Sequence, residues 1–213
     1  MTKLISFDLP TSLTPETYTD HITALCNQDP DLAQVVHRFG PPPFWTREPG
    51  FVTLVHIILE QQVSLASAQA ALDRLKVEAD PLTPQSLLAL DDESLRRVGF
   101  SRQKSRYARL LAEAVLTGTL DLDGMAALPD DAAQSALTAL KGIGPWTADV
   151  YLLMALRRAD MWPIGDRALV VAAREVKGLD HDPSPAEMME IGAAWQPVRA
   201  VAARILWHHY LSR

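Results

Sequence analysis

The chain has 213 residues, 48% of them hydrophobic and 22% charged, with a formal net charge of −6. That length suits one sizeable domain or two small lobes, either able to bury a core without covalent staples. The single cysteine, Cys26, excludes intramolecular disulfides, zinc sites of several cysteines and a four-cysteine iron–sulfur cluster. The acidic balance excludes coating of nucleic acid by bulk attraction, so any affinity for DNA must rest on a local patch. The first ten residues, MTKLISFDLP, hold one lysine and no apolar stretch of signal-peptide length, and no run approaches the roughly 18 apolar residues of a membrane span. A soluble, cytoplasmic protein with no membrane partner is expected.

Apolar residues recur at three and four positions almost throughout, and short stretches of Pro, Gly, Asp and Ser interrupt them, which predicts an all-α chain. In chain order the helices are predicted at about 15–27, 31–38, 48–61, 64–77, 84–90, 92–97, 101–117, 130–139, 145–157, 166–177, 184–194 and 197–211. Thr14-Pro15 and Thr83-Pro84 are pairs of cap and proline, and Ser64 and Ser101 stand at N-cap positions. The stretches PPPF at 41–44 and HDPSP at 181–185 read as rigid turns, because each is short and followed at once by helix. Residues 1–14 are open between a strand and an arm.

Four stretches carry chemistry. The segment IILEQQVSLASAQAAL, 57–72, joins two predicted helices through Gln61-Gln62, which alone reads as a polar turn. From Arg96 to Arg109 the chain carries Arg96, Arg97, Arg102, Lys104, Arg106 and Arg109 with no acidic residue between them. Arg102, Arg106 and Arg109 share one helical face; the patch reads either as a solvated face offset by Asp91, Asp92 and Glu93, or as a phosphate-binding surface whose affinity falls with salt.

LKGIGPWTADVYLLMAL, 140–156, places Gly142 and Gly144 in a tight turn between helices, with Pro145 in the first turn of the second. Amides exposed at such a helix start attract an anion, although Gly-x-Gly alone reads equally as a plain turn. Asp166 precedes the apolar run Ala168 to Val171 and reads as an N-cap, with no Glu or Gln at 169 to complete a capping box. A carboxylate accepting backbone N–H bonds there is also held ionised.

The run L-x-G-I-G-x-W-T-A resembles the helix-hairpin-helix of the base-excision DNA glycosylase superfamily, and the Ile-Leu-Glu-Gln-Gln-Val-Ser stretch is similar to that of its 3-methyladenine DNA glycosylase II (alkyladenine) branch. The likeness extends to Gly-Phe-Ser-Arg-Gln-Lys at 99–104 and covers roughly residues 45–213. Glu60 departs from it, since glycine is expected there. An acid near DNA either points inward or weakens the grip.

The resemblance implies two helical lobes with a cleft between them: 46–156 as a helical barrel carrying the hairpin, and 1–45 with 157–213 as the second lobe. It leaves no room for the additional N-terminal α/β domain of some members. It implies a monofunctional enzyme of base excision repair that flips alkylated bases of the 3-methyladenine and 7-methylguanine type out of duplex DNA and hydrolyses the N-glycosidic bond.

On the same ground Asp166, 22 positions beyond Gly144, is the catalytic acid, and Gln62 enters the duplex. Trp146, Trp207 and His208 line the base pocket; indole faces suit a cationic purine. Gly142, Gly144, Thr147, Ser101, Arg102 and Lys104 contact the DNA backbone. The carbonyls of Thr138, Leu140 and Ile143 hold a monovalent cation, Na+ or K+, and no other cofactor is implied. Trp45, Trp162 and Trp195 are read as core or cleft wall.

Lyase members of the superfamily carry an amine two positions after the second glycine, where this chain has Trp146. Iron–sulfur members carry C-terminal cysteines that it lacks. The partner expected is duplex DNA with alkylated bases, met by a monomer that is nucleoid-associated if the source is bacterial. A helix-hairpin-helix protein that binds DNA without excising bases is the alternative.

Overall fold

A computed structural model describes residues 12–213, and twelve α-helices and one short 3-10 turn account for its regular structure. They are α1 (Pro15–Gln28), α2 (Pro30–Phe39), α3 (Phe51–Glu60), α4 (Leu65–Glu78), α5 (Pro84–Ala89), α6 (Asp92–Val98), α7 (Arg102–Leu116), the 3-10 turn Gly124–Ala127, α8 (Asp130–Thr138), α9 (Pro145–Met154), α10 (Arg167–Val176), α11 (Pro185–Ala193) and α12 (Arg199–Ser212). Among the described residues the single β contact is an isolated antiparallel bridge between Ser12 and Arg158. The strand or arm considered for the N-terminus lies, for residues 1–11, outside the described residues. No helix among them is long and apolar enough to cross a membrane.

Four starts follow the caps anticipated from sequence: Thr14 and Thr83 each close a capping box with a proline in the first turn, while Ser64 and Ser101 accept amide bonds from Ser67 and Lys104. Ser184, read only as part of a turn, closes a third such box. Two bounds differ from expectation by three residues. Helix α3 begins at Phe51 rather than 48, because Pro49 biases Glu48 away from helix, and residues 47 and 48 are engaged elsewhere: the Arg47 amide donates to the Met154 carbonyl at 2.9 Å and the Thr53 hydroxyl to the Glu48 carbonyl at 2.6 Å. Helix α9 stops at Met154 rather than 157, since Arg157 adopts φ +56°, outside the helical region.

The chain divides into two compact units. One comprises residues 47–126 and 131–155; α3 is buried on nearly every face and packs against α4, α7 and α9, with α5 and α6 against α7. The other comprises residues up to 46, 127–130 and 156–213; here α12 is the central element, buried from Ala200 to Trp207 and packed by α1, α2 and α10. Arg204 lies in its core with no exposed surface, donating to the Trp45 and Ala200 carbonyls at 3.1 and 3.0 Å and lying over the rings of Tyr18 and Phe44. Burial draws its pKa down to about 10, so it remains a cation at neutral pH. Trp162 and Trp195 are core residues whose indole N–H groups donate to the Met188 carbonyl and the Asp29 carboxylate, both at 2.8–2.9 Å. Trp45 is half-buried.

Candidate functional site

In the unit built on α3, α8 runs into a tight turn that delivers the chain to α9. The Leu140 amide donates to Leu137 and the Ile143 amide to Leu140, at 3.1 and 3.0 Å, and the buried Ile143 side chain pins the turn from below. Gly142 adopts φ +103°, and a Cβ there would fall 2.2 Å from the Tyr107 ring, so both backbone and packing require glycine. Gly144 caps α9 in an ordinary extended conformation and supplies no side-chain cap bond to its first turn. The exposed Lys141, which sequence reasoning passed over, adds a positive charge to the turn.

The turn is braced from a direction that the sequence does not reveal. Gln61 donates through Nε2 to the Gly142 carbonyl at 3.0 Å and to the Thr147 hydroxyl at 3.1 Å. The Gln-Gln-Val-Ser turn and the Gly-Ile-Gly hairpin, 81 positions apart, are therefore one hydrogen-bonded object. Thr147, expected at the DNA backbone, has a buried side chain engaged by Gln61, which leaves only its main-chain amide for that role. Gln62, one residue on, is exposed and holds φ +59°, a left-handed conformation that costs a non-glycine residue roughly 1–2 kcal/mol. Val63 beside it is 47% exposed, so the tip presents one amide and one apolar side chain to solvent.

Glu60 points inward. Arg47 grips its carboxylate with two hydrogen bonds of 3.0 and 2.7 Å, and His56 Nε2 lies 3.5 Å away. The departure from the expected glycine thus places a neutralised acid under the turn rather than a bare one on it.

The basic stretch separates into engaged and unengaged residues. Lys104, expected at the DNA backbone, is half-buried and donates to the Leu59 carbonyl in the last turn of α3 at 2.7 Å. Ser101 is the cap of α7. Arg109 binds the Leu90 carbonyl and Asp92 at 2.7 and 3.1 Å, and Arg97 pairs with Glu78. Arg96, Arg102 and Arg106 are exposed.

The carbonyls of Thr138, Leu140 and Ile143 belong to the same hairpin turn, and the Thr138 hydroxyl donates back to Gln134 and Ser135 at 2.8 and 3.3 Å. Neutral carbonyl oxygens suit a monovalent cation in charge and hardness, and no cluster of His, Cys, Asp and Glu among the described residues competes as a metal site.

In the other unit Asp166 is the N-cap of α10. Its Oδ1 accepts the Leu169 amide at 3.0 Å and the indole N–H of Trp207, from α12, at 3.1 Å. Sequence anticipated the cap; the indole donor 41 positions away was not foreseeable. The carboxylate remains half-exposed while Trp207 is buried. His208, next on the helix, diverges by about a quarter turn: its Nε2 donates to the Phe39 carbonyl at 3.1 Å and its ring faces those of Phe39 and Trp45. The structure therefore brings Trp207 to Asp166 and ties His208 to the end of α2. Trp146 is half-buried in the first turn of α9.

Comparison with known proteins bears on these arrangements. A model of the HhH-GPD superfamily base excision DNA repair proteins matches residues 55–197. An alkylbase DNA glycosidase-like protein of Schizosaccharomyces pombe is 25% identical over 192 residues, 88% of this chain and 90% of that one. Among solved structures, the 3-methyladenine DNA glycosylase of Schizosaccharomyces pombe in complex with abasic DNA aligns with a TM-score of 0.79 at 25% identity, covering 90% of this chain and 95% of that one. A DNA-3-methyladenine glycosidase of Bacillus halodurans aligns with a TM-score of 0.72 at 32% identity, covering 92% and 90%.

Proposed function

Because the chain belongs to the HhH-GPD superfamily of base excision DNA repair proteins, we propose that it excises alkylated bases from duplex DNA as a monofunctional glycosylase, with Asp166 as its catalytic carboxylate. The observation that carries the reading is the Asp166 carboxylate, fixed by one main-chain and one indole N–H yet half-exposed. The names of its relatives, alkylbase glycosidase-like protein and 3-methyladenine DNA glycosylase, supply the substrate class.

A base in a duplex is out of reach, so the nucleotide must first rotate outward, at a cost of a few kcal/mol that falls for damaged bases. Gln62, preset in its left-handed conformation at an exposed tip, is placed to fill the vacated space. The amides at the start of α9 receive a phosphate of the strand, and a monovalent cation held by the Thr138, Leu140 and Ile143 carbonyls would add positive charge beside it. Gln61 keeps the turn rigid by occupying the Gly142 carbonyl. Arg102 adds a phosphate contact that carries no sequence information.

Breaking the N-glycosidic bond develops positive charge on the sugar. Asp166 stabilises that charge and orients, or takes a proton from, the attacking water. A purine methylated at N3 or N7 already carries positive charge and leaves as a neutral base, so no separate general acid is needed. Trp207 holds the carboxylate by its N–H edge, and its ring and that of Trp146 are candidates for stacking on a cationic purine. With Trp146 where lyases carry an amine, the chain has no nucleophile there for a Schiff base. The enzyme acts as a monomer.

Incubation of wild-type protein with methylated duplex DNA should release free 3-methyladenine and 7-methylguanine and leave intact, alkali-labile abasic strands. Asp166→Asn should abolish release while retaining DNA affinity. Binding without any released base from the wild type would instead identify a non-catalytic helix-hairpin-helix protein, and strand scission without alkali would refute the monofunctional reading.

A further inference from the structure

Beside α6 and the first three turns of α7 lies a cavity of about 720 Å³ that plays no part in the chemistry at Asp166. Its walls include Arg96, Arg102, Arg106 and Arg109, with Phe100 and Ser105 toward the interior and Asp92 and Glu113 at its margin. We propose that this cavity is a phosphate-binding subsite, separate from the hairpin and built to hold a phosphoryl oxyanion by guanidinium and hydroxyl donors.

Three observations carry it. First, Arg96, Arg102 and Arg106 are exposed and their side chains make no hydrogen bond or ion pair among the described residues, whereas those of their neighbours Arg97, Lys104 and Arg109 are each engaged by acids or carbonyls. A fold that satisfies half of a basic cluster and leaves the half facing one cavity unsatisfied has a ligand-shaped gap in its charge pairing. Arginine forks match phosphate oxygens in pairs, so several converging guanidiniums favour that anion over a halide or carboxylate of lower charge.

Second, Ser105 lines the cavity with only 8% of its surface exposed, and among the described residues its hydroxyl has no hydrogen-bond partner, so the donor is open to a ligand in the cavity. Third, the acidic residues do not cancel the site. Asp92 is bound by Arg109, and Glu113 stands eleven residues along α7 from Arg102, roughly 16 Å at 1.5 Å per residue. The N-terminal end of the groove is thus wholly basic, and it coincides with the positive end of the α7 dipole.

The same oxyanion chemistry is offered by a backbone phosphate of the duplex or by a free phosphorylated molecule. For the first source the inference rests on the glycosylase reading; for the second it does not. The test measures wild type, Arg102→Gln, Arg106→Gln and Ser105→Ala, with Arg97→Gln as a charge-matched control outside the cavity, all checked for unchanged thermal unfolding.

Duplex binding is followed against salt, and inorganic pyrophosphate is titrated by calorimetry. If duplex DNA is the source, each arginine variant lowers the slope of log affinity against log salt by about 0.9, Ser105→Ala weakens binding several-fold at constant slope, and Arg97→Gln matches wild type. If a free phosphorylated molecule is the source, pyrophosphate binds wild type with one site, the three cavity variants lose it, and the DNA slope of Arg106→Gln stays that of wild type. An unchanged DNA slope for Arg106→Gln together with no variant-sensitive pyrophosphate binding would overturn the proposal. Base release by wild type is scored in parallel, so its absence would sink the glycosylase reading while leaving pyrophosphate binding to be judged alone.

Discussion

The hairpin region and the Asp166 region use hydrogen bonds for opposite ends. Around the hairpin, polar side chains are consumed in fixing the backbone: Gln61 holds Gly142 and Thr147, Arg47 neutralises Glu60, and Lys104 caps α3. What faces outward is main chain, Gln62, Val63 and Lys141. Around Asp166, backbone and side chain are consumed in fixing a charge. A surface that grips a strand of any sequence needs rigid amides, whereas a surface that stabilises a cation needs a carboxylate that cannot turn away. Substitutions in the first region should therefore alter binding and stability, and those in the second the chemical step.

The largest separation is expected from Asp166→Asn, which should reduce single-turnover excision by about 10²–10⁴-fold with little change in the dissociation constant for DNA. An equal loss of binding would erase the contrast. Gly142→Ala should do the reverse. Its Cβ would meet Tyr107 at 2.2 Å from a positive-φ position, which predicts a stability loss of about 2–5 kcal/mol by denaturant unfolding and weaker DNA binding. The double variant with Tyr107→Ala should recover part of that loss.

Trp207→Phe keeps an aromatic ring but removes the indole donor to Asp166. Loss of a hydrogen bond to a charged group predicts a fall of about tenfold or more in the excision rate at saturating DNA, with affinity unchanged. If affinity fell and the rate held, the ring would matter as a wall and not as a brace.

The smallest effect is a pH dependence under the turn. Burial, partly opposed by Glu60 and reinforced by Arg47, lowers the pKa of His56 from its usual 6.5. The unfolded chain then takes up a proton that the folded one resists, so this contribution is complete above about pH 6.5 and is lost as the pH falls through that value toward the folded pKa. Denaturant midpoints measured from neutral to mildly acidic pH should decline for the wild type and decline less for His56→Gln. A decline of the same size in both would remove His56 from the account.

Much of this was legible in the sequence, because local rules govern it. All twelve helices, the capping serines and threonines, the hairpin and the Asp166 cap follow from periodicity and from residues within four positions of one another. Two helix bounds escaped for local reasons too weak to read: a left-handed Arg157 and an extended approach to Phe51. The unread parts of the candidate site are long-range. Gln61 reaching Thr147, Tyr107 filling the space above Gly142, Trp207 reaching Asp166 and Arg47 reaching Glu60 are settled by tertiary packing, which no spacing rule reports. The basic cluster shows the same limit, since composition counts six cations alike while packing decides which of them remain available.

The two hairpin glycines now part company. Gly142 is demanded by the protein itself, whereas Gly144 has φ −90° and nothing within 4 Å of where a Cβ would stand. Alanine there should fold as well as glycine or slightly better, through the smaller entropy of its unfolded chain. A library sorted only for folded protein would therefore discard Gly142→Ala and keep Gly144→Ala, and sorting the survivors for DNA capture would show whether the second glycine is reserved for a visitor.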